Sequence, residues 1–172
     1  MLKKVIFLTT LIFGLCFAAQ AQQQTQRGPS TPEERQRFVT LTHKMEDAPL
    51  DESLRSEREW ALTWLVQIPD ITVNVCTAPL GDYMKKKYKY APEITIQLTF
   101  SSGAFIIEHP DKAKDEYAQC LAGVEGALKA YQSILKVKPD ARSKALDELL
   151  DKQRNGKLAE HVQNASSQGG TK

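Results

Sequence analysis

Between Asp111 and Pro139 the residues Tyr117, Cys120, Leu121, Val124, Leu128, Tyr131 and Leu135 recur at helical spacing and share one face. A stripe kept for about five turns specifies one long helix that must be covered along its length by other elements. Asp111 stands where a cap is expected, and Pro139 ends the run. Gly123 and Gly126 interrupt the helix-forming composition at about 1 kcal/mol each. Such a pair predicts close approach of a neighbouring helix.

The flanking sequence supplies candidates for that cover. Thr31, Pro32 and Glu34 spell a capping box with proline at the first helical position, and Phe38, Leu41 and Met45 follow as one stripe up to Pro49. A second helix is expected from near Asp51, with Trp60, Ala61, Trp64, Leu65 and Ile68 on its inner face and Pro69 at its end. Past Pro139, Asp140 is the expected cap of a helix carrying Leu146, Leu149 and Leu150, which Asn155-Gly156 closes. A last turn carries Leu158 and Val162.

Two segments resist assignment. Residues 71–76 and 94–100 both alternate with period two and are rich in β-branched side chains, which favours strands. Two strands alone make a marginal sheet, and no third candidate exists. Ile94, Leu98, Ser101 and Phe105 also fit a helix from Pro92 to Glu108 with Pro110 as its stop, and the second segment is assigned there. The fold class expected is all-α, a single domain of about five helices over 31–165.

The N-terminus reads as a secretory signal: Lys3 and Lys4, an apolar run from Val5 to Phe17, then Ala19-Gln20-Ala21, with cleavage after Ala21. The run is shorter than the roughly 20 residues of a spanning helix. Residues 22–30 and 166–172 lack core-forming side chains and read as a flexible linker and a disordered tail. Loss of Lys3 and Lys4 takes the 23 Lys+Arg to 21, equal to the 21 Asp+Glu. A neutral chain has no global field to draw in nucleic acid. The expected location is periplasmic or secreted.

Export makes Cys76 and Cys120 the only cysteines of the processed chain and delivers them to a compartment where thiols oxidise, so they are expected to pair. His43, His109 and His161 have no partner at metal-binding spacing, and no nucleophile elbow, phosphate loop or dinucleotide fingerprint is present. No cofactor, metal site or catalytic residue is expected. Glu108, Asp111, Asp115 and Glu116 cluster at a helix start, where carboxylates serve the helix dipole. Trp60 and Trp64, one turn apart, read as core.

One stretch stands out as a binding candidate: Lys85, Lys86, Lys87, Tyr88, Lys89 and Tyr90. Ammonium groups interleaved with tyrosine rings suit an acidic partner, an anionic surface or a sugar polymer.

Residues 127–139 resemble the second helix of a tetratricopeptide repeat, with Ala127, Tyr131 and Pro139 at the repeat's Ala, aromatic and Pro spacings. Ile134 and Asp115 depart from the pattern, and no copy follows at the repeat's period. The resemblance implies a helical hairpin packed on its neighbours. The chain as a whole resembles small exported bacterial proteins of families without an assigned activity. The function expected is non-enzymatic binding of another protein or an envelope surface component. The alternatives are a small secreted hydrolase using carboxylates, or an inhibitor or immunity-type protein.

Overall fold

The computed structural model describes residues 27–83 and 88–169. The signal segment, its cleavage point at Ala21 and Lys85–Lys87 lie outside the described residues. Six helices are described: α1 (Pro32–Asp47), α2 (Arg55–Gln67), α3 (Ala91–Glu108), α4 (Glu116–Val137), α5 (Lys144–Arg154) and α6 (Leu158–Gly169). Three short 3₁₀ turns, Glu52–Leu54, Ala78–Tyr83 and Pro110–Lys112, join them. The domain is all-α, and no strand occurs among the described residues.

The α3–α4 pair is the centre of the domain. Gly123 and Gly126 make this possible, because α3 occupies the space where their side chains would stand. A β-carbon on Gly123 would lie 2.8 Å from the Leu98 carbonyl oxygen, and one on Gly126 would lie 3.0 Å from Glu46 Oε1 and clash with Ser101. The Ser102 hydroxyl lies 3.1 Å from Leu98 O on its own helix and 3.0 Å from Gln119 O on α4, so its one proton is shared across the interface.

Apolar cores form on both sides of the pair. On one side α1 and α2 close over α3, with Phe38, Trp64 and Phe100 fully buried and in ring contact at 4.9 and 5.2 Å. On the other, α5, α6 and the 78–83 turn cover α4 through Leu146, Leu149, Leu158, Val162, Leu80 and Tyr83. Each such large side chain contributes about 1.5–3 kcal/mol of burial.

Local sequence sets the element ends. Thr31 and Glu34 form the capping box of α1 as expected. The 94–100 segment lies within α3, with Pro92 in its first turn. Residues 71–76 form neither helix nor strand, because no second strand is available to pair with them. Asp115, not Asp111, caps α4: its carboxylate accepts from Ala118 N at 3.0 Å, while Asp111 sits in the preceding 3₁₀ turn. Likewise Ser143, not Asp140, holds the N-cap position of α5. Gly156, at φ +67°, ends α5 in the left-handed region that favours glycine.

Within the described residues, Ser30 and 166–169 are more ordered than their composition predicts. Ser30 is buried, with its N–H and hydroxyl donating to the Asp70 carboxylate at 2.9 and 2.8 Å. α6 runs on to Gly169, so Ser166, expected in the tail, is helical. Among the described residues no helix is long and apolar enough to cross a membrane.

Candidate functional site

Cys76 and Cys120 are joined as a disulfide, with Cα atoms 5.4 Å apart. The bridge ties the irregular 71–77 segment to α4, and the Ser166 hydroxyl lies 3.5 Å from Cys120 Sγ. From this anchor the chain turns through 78–83 and returns as Tyr88, Lys89 and Tyr90 at the start of α3.

These three residues, with Tyr83, Arg142 and Lys144, line an open hollow of about 360 Å³ against the N-terminus of α5. The Tyr83, Tyr88 and Tyr131 hydroxyls around it are engaged within the protein. Tyr88 donates to Ala141 O at 3.1 Å, Tyr83 pairs with Thr95 Oγ1 at 2.7 Å, and the buried Tyr131 behind them donates to Asp147 Oδ1 at 2.8 Å. The rings stack edge to face, Tyr88 against Tyr90 at 5.9 Å and against Tyr131 at 6.2 Å. Burial pushes the Tyr88 phenol far above its ordinary range, and burial, with the Asp147 carboxylate, pushes Tyr131 up to about 12. Tyr88 and Tyr131 therefore keep their protons and stay neutral.

Cations crown the hollow. Lys89 is exposed, with its ammonium 5.3 Å from the Tyr90 ring centroid. Lys144 is 82% exposed and faces Glu148 only at 3.9 Å, a distance and exposure at which an ion pair is weak. Arg142 pairs through Nε with Asp147 at 3.1 Å. Ser143, at the N-cap, makes no side-chain capping bond. Among the described residues of the wall, Asp140 is the one carboxylate. The lining therefore presents ring surface and hydrogen-bond donors, an arrangement that holds an acceptor-rich or anionic group with an apolar neighbour.

The sequence singles out Tyr88, Lys89 and Tyr90 but not Tyr83, Tyr131, Arg142 or Lys144. Arg142 and Lys144 lie more than fifty positions from Tyr88, and the packing of α5 against α4 and the 78–83 turn brings them to it.

The other candidates are dispersed or carry structural duties. Glu108 lies 3.2 Å from His43, Asp115 caps α4, and Glu116 accepts from Asn74 at 3.2 Å, so the carboxylate cluster does not converge. Buried Glu46 accepts from Ser101 at 3.2 Å, Lys129 at 3.1 Å and His43 Nδ1 at 3.3 Å. A serine, a carboxylate and a histidine thus meet, but the carboxylate stands between the other two. A nucleophilic serine needs the imidazole beside its hydroxyl, so this order cannot activate Ser101. His109 ends α3 against Phe105 at 4.7 Å, and His161 donates to Pro79 O at 2.9 Å. Trp64 is core, and Trp60 stacks on it beneath the Arg37 guanidinium. Among the described residues no three His, Cys, Asp or Glu side chains are grouped to hold a metal ion.

The chain matches no family model, no curated protein and no solved structure.

Proposed function

We propose that this chain is an exported, non-enzymatic helical protein that binds another protein or an envelope surface component through the hollow at Tyr88–Tyr90 and Arg142–Lys144. The observation that carries this reading is the tyrosine wall beneath a cationic rim, with the Tyr83 and Tyr88 hydroxyls each engaged by a partner within the protein. A wall that loses little freedom on contact favours binding. Export is supported by the basic, apolar and small-residue parts of the first 21 residues, and by a cysteine pair of the kind oxidising compartments favour.

The test is cross-linking in intact cells that express the chain with its own leader, comparing it with the Lys89→Glu/Tyr90→Ala variant. Loss of the cross-linked product is expected from a variant that circular dichroism shows to be folded, with some lowering of the melting temperature because the half-buried Tyr90 ring packs on the core. The same product from both forms rules the hollow out as the binding surface. Intact mass of the recovered protein is expected to begin at Gln22; a retained leader rejects export.

A further inference from the structure

The tyrosine hollow does not end at Lys144. A second hollow of about 450 Å³, bounded by Leu80, Gly81, Glu148, Lys152 and His161, shares Lys144 and Ala145 with it. The two adjoin at Lys144 and Ala145, and together they make a groove along α5, facing Pro79, Leu80, Gly81 and Tyr83 and then Tyr88–Tyr90. Among the described residues that line it, the cations are Lys89, Arg142, Lys144 and Lys152, with Arg142 also paired to Asp147, against Asp140 and Glu148. His161 is committed to Pro79 O at 2.9 Å.

Charge, donor chemistry and length select the occupant. The cations and the Ser143 hydroxyl are donors, and the Tyr83 and Tyr88 hydroxyls already have partners. A neutral glycan brings no charge to meet the cations, whereas carboxylates bring charged acceptors that do. Lys144 and Lys152 are eight residues apart on one helix, which is about 12 Å along its axis. An extended peptide covers that span in about four residues, and an even spacing puts both side chains on one face.

We propose that the groove along α5 binds an extended acidic peptide segment, with carboxylates four residues apart meeting Lys144 and Lys152 and an apolar side chain on the Tyr88–Tyr90 wall. This rests on the binding role given to the tyrosine hollow and extends it along the helix. Charge complementarity then sets the orientation as well as the affinity.

The probe is a fluorescein-labelled peptide of about ten residues, long enough to cross both hollows, with two glutamates four apart and leucines beside one of them. Its counterparts carry lysine for glutamate or the same glutamates side by side. Anisotropy is expected to give binding of the first peptide only, weakened about tenfold by Lys89→Glu and by Lys152→Glu separately, and less by Lys152→Gln. Polygalacturonate is expected not to displace it. Circular dichroism melting confirms that each variant is folded. Equal binding of the three peptides, displacement by polygalacturonate, or no binding at all overturns the acidic-peptide assignment. Weakening by Lys89→Glu alone overturns the extended groove and leaves the tyrosine hollow as the binding surface. If no peptide binds while Lys89→Glu/Tyr90→Ala still abolishes cross-linking in cells, the peptide assignment fails and the hollow stands. If that variant has no effect in cells either, both readings fail.

Discussion

Gly126 on α4 lies so close to Ser101 on α3 that the two helices touch with no room for a β-carbon between them. Alanine there gains up to about 1 kcal/mol of helix propensity, but overpacking costs about 1–3 kcal/mol. Ser101 Cβ is itself in the way and cannot rotate aside. Gly126→Ala is therefore expected to destabilise the domain by about 1–2 kcal/mol in urea unfolding. Gly28→Ala, with open space around it, is the control, expected within about 0.5 kcal/mol. Equal midpoints for the two variants contradict a close-packed interface.

The Cys76–Cys120 bridge closes a loop with a sequence separation of 44. Loops of this length gain roughly 2–4 kcal/mol on cross-linking. Reduction is expected to lower the urea midpoint by that amount and to expose the 71–77 segment first to proteolysis. Alkylation of the denatured, unreduced protein is expected to leave both cysteines unlabelled. Two labels exclude the bridge.

Much of this architecture is legible in the sequence, because its signals are local. Thr31-Pro32 with Glu34 starts α1, and Pro92 and Pro110 bracket α3 despite its β-branched residues. Gly123 and Gly126 announce a close helix neighbour. Caps are less legible where several acids compete. Asp111 and Asp115 both precede α4, and the 3₁₀ turn at Pro110–Lys112 moves the start to the later one. Residues 71–76 have strand composition, but composition supplies no pairing partner. The tyrosine hollow is half legible: Tyr88–Tyr90 are adjacent in sequence, whereas Arg142 and Lys144 meet them only through the docking of α5.

His43 bridges α1 and α3, with Nδ1 3.3 Å from Glu46 and Nε2 3.2 Å from Glu108. Desolvation lowers the imidazole pKa, but hydrogen bonds to Glu108 and Glu46 outweigh it, and the net shift is upward from 6.5. A raised folded-state value means stabilisation that is complete below the unfolded value and lost as pH rises through the folded one. Stability is therefore expected to fall as pH rises through and above 6.5, and His43→Gln to flatten that slope. An unchanged slope in the variant assigns the pH dependence elsewhere.

Asp70 gives the opposite sign. Desolvation raises its pKa, but bonds from Ser30 N, Ser30 Oγ and Arg35 dominate and hold it near about 2, below the ordinary 3.8. This stabilisation is present above 3.8 and lost as pH falls toward about 2. Asp70→Asn is expected to cost about 1–2 kcal/mol at neutral pH, discounted for partial exposure, and to converge with the parent in strong acid. A gap that persists at low pH attributes the loss to packing instead of charge.

Tyr131 and Tyr88 hold the loop before α5 from two sides. Tyr131 donates to Asp147 and accepts from Ser143 N at 2.8 Å, while Tyr88 donates to Ala141 O at 3.1 Å. Removing the Tyr131 hydroxyl leaves the Ser143 N–H without its partner, a loss of about 1–3 kcal/mol. Tyr131→Phe is expected to show that loss in urea unfolding. Because both phenols restrain residues 141–143, Tyr88→Phe is expected to cost less in the Tyr131→Phe background than alone, with a coupling of at least about 0.5 kcal/mol. Peptide binding is the sharper readout, since the loop carries Arg142 and leads into Lys144. The double variant is expected to bind about as weakly as Tyr131→Phe alone, because a loop already released has no second restraint to lose. Additive losses in stability and binding mean that the tyrosines act independently, and that the hollow is not held by one shared loop.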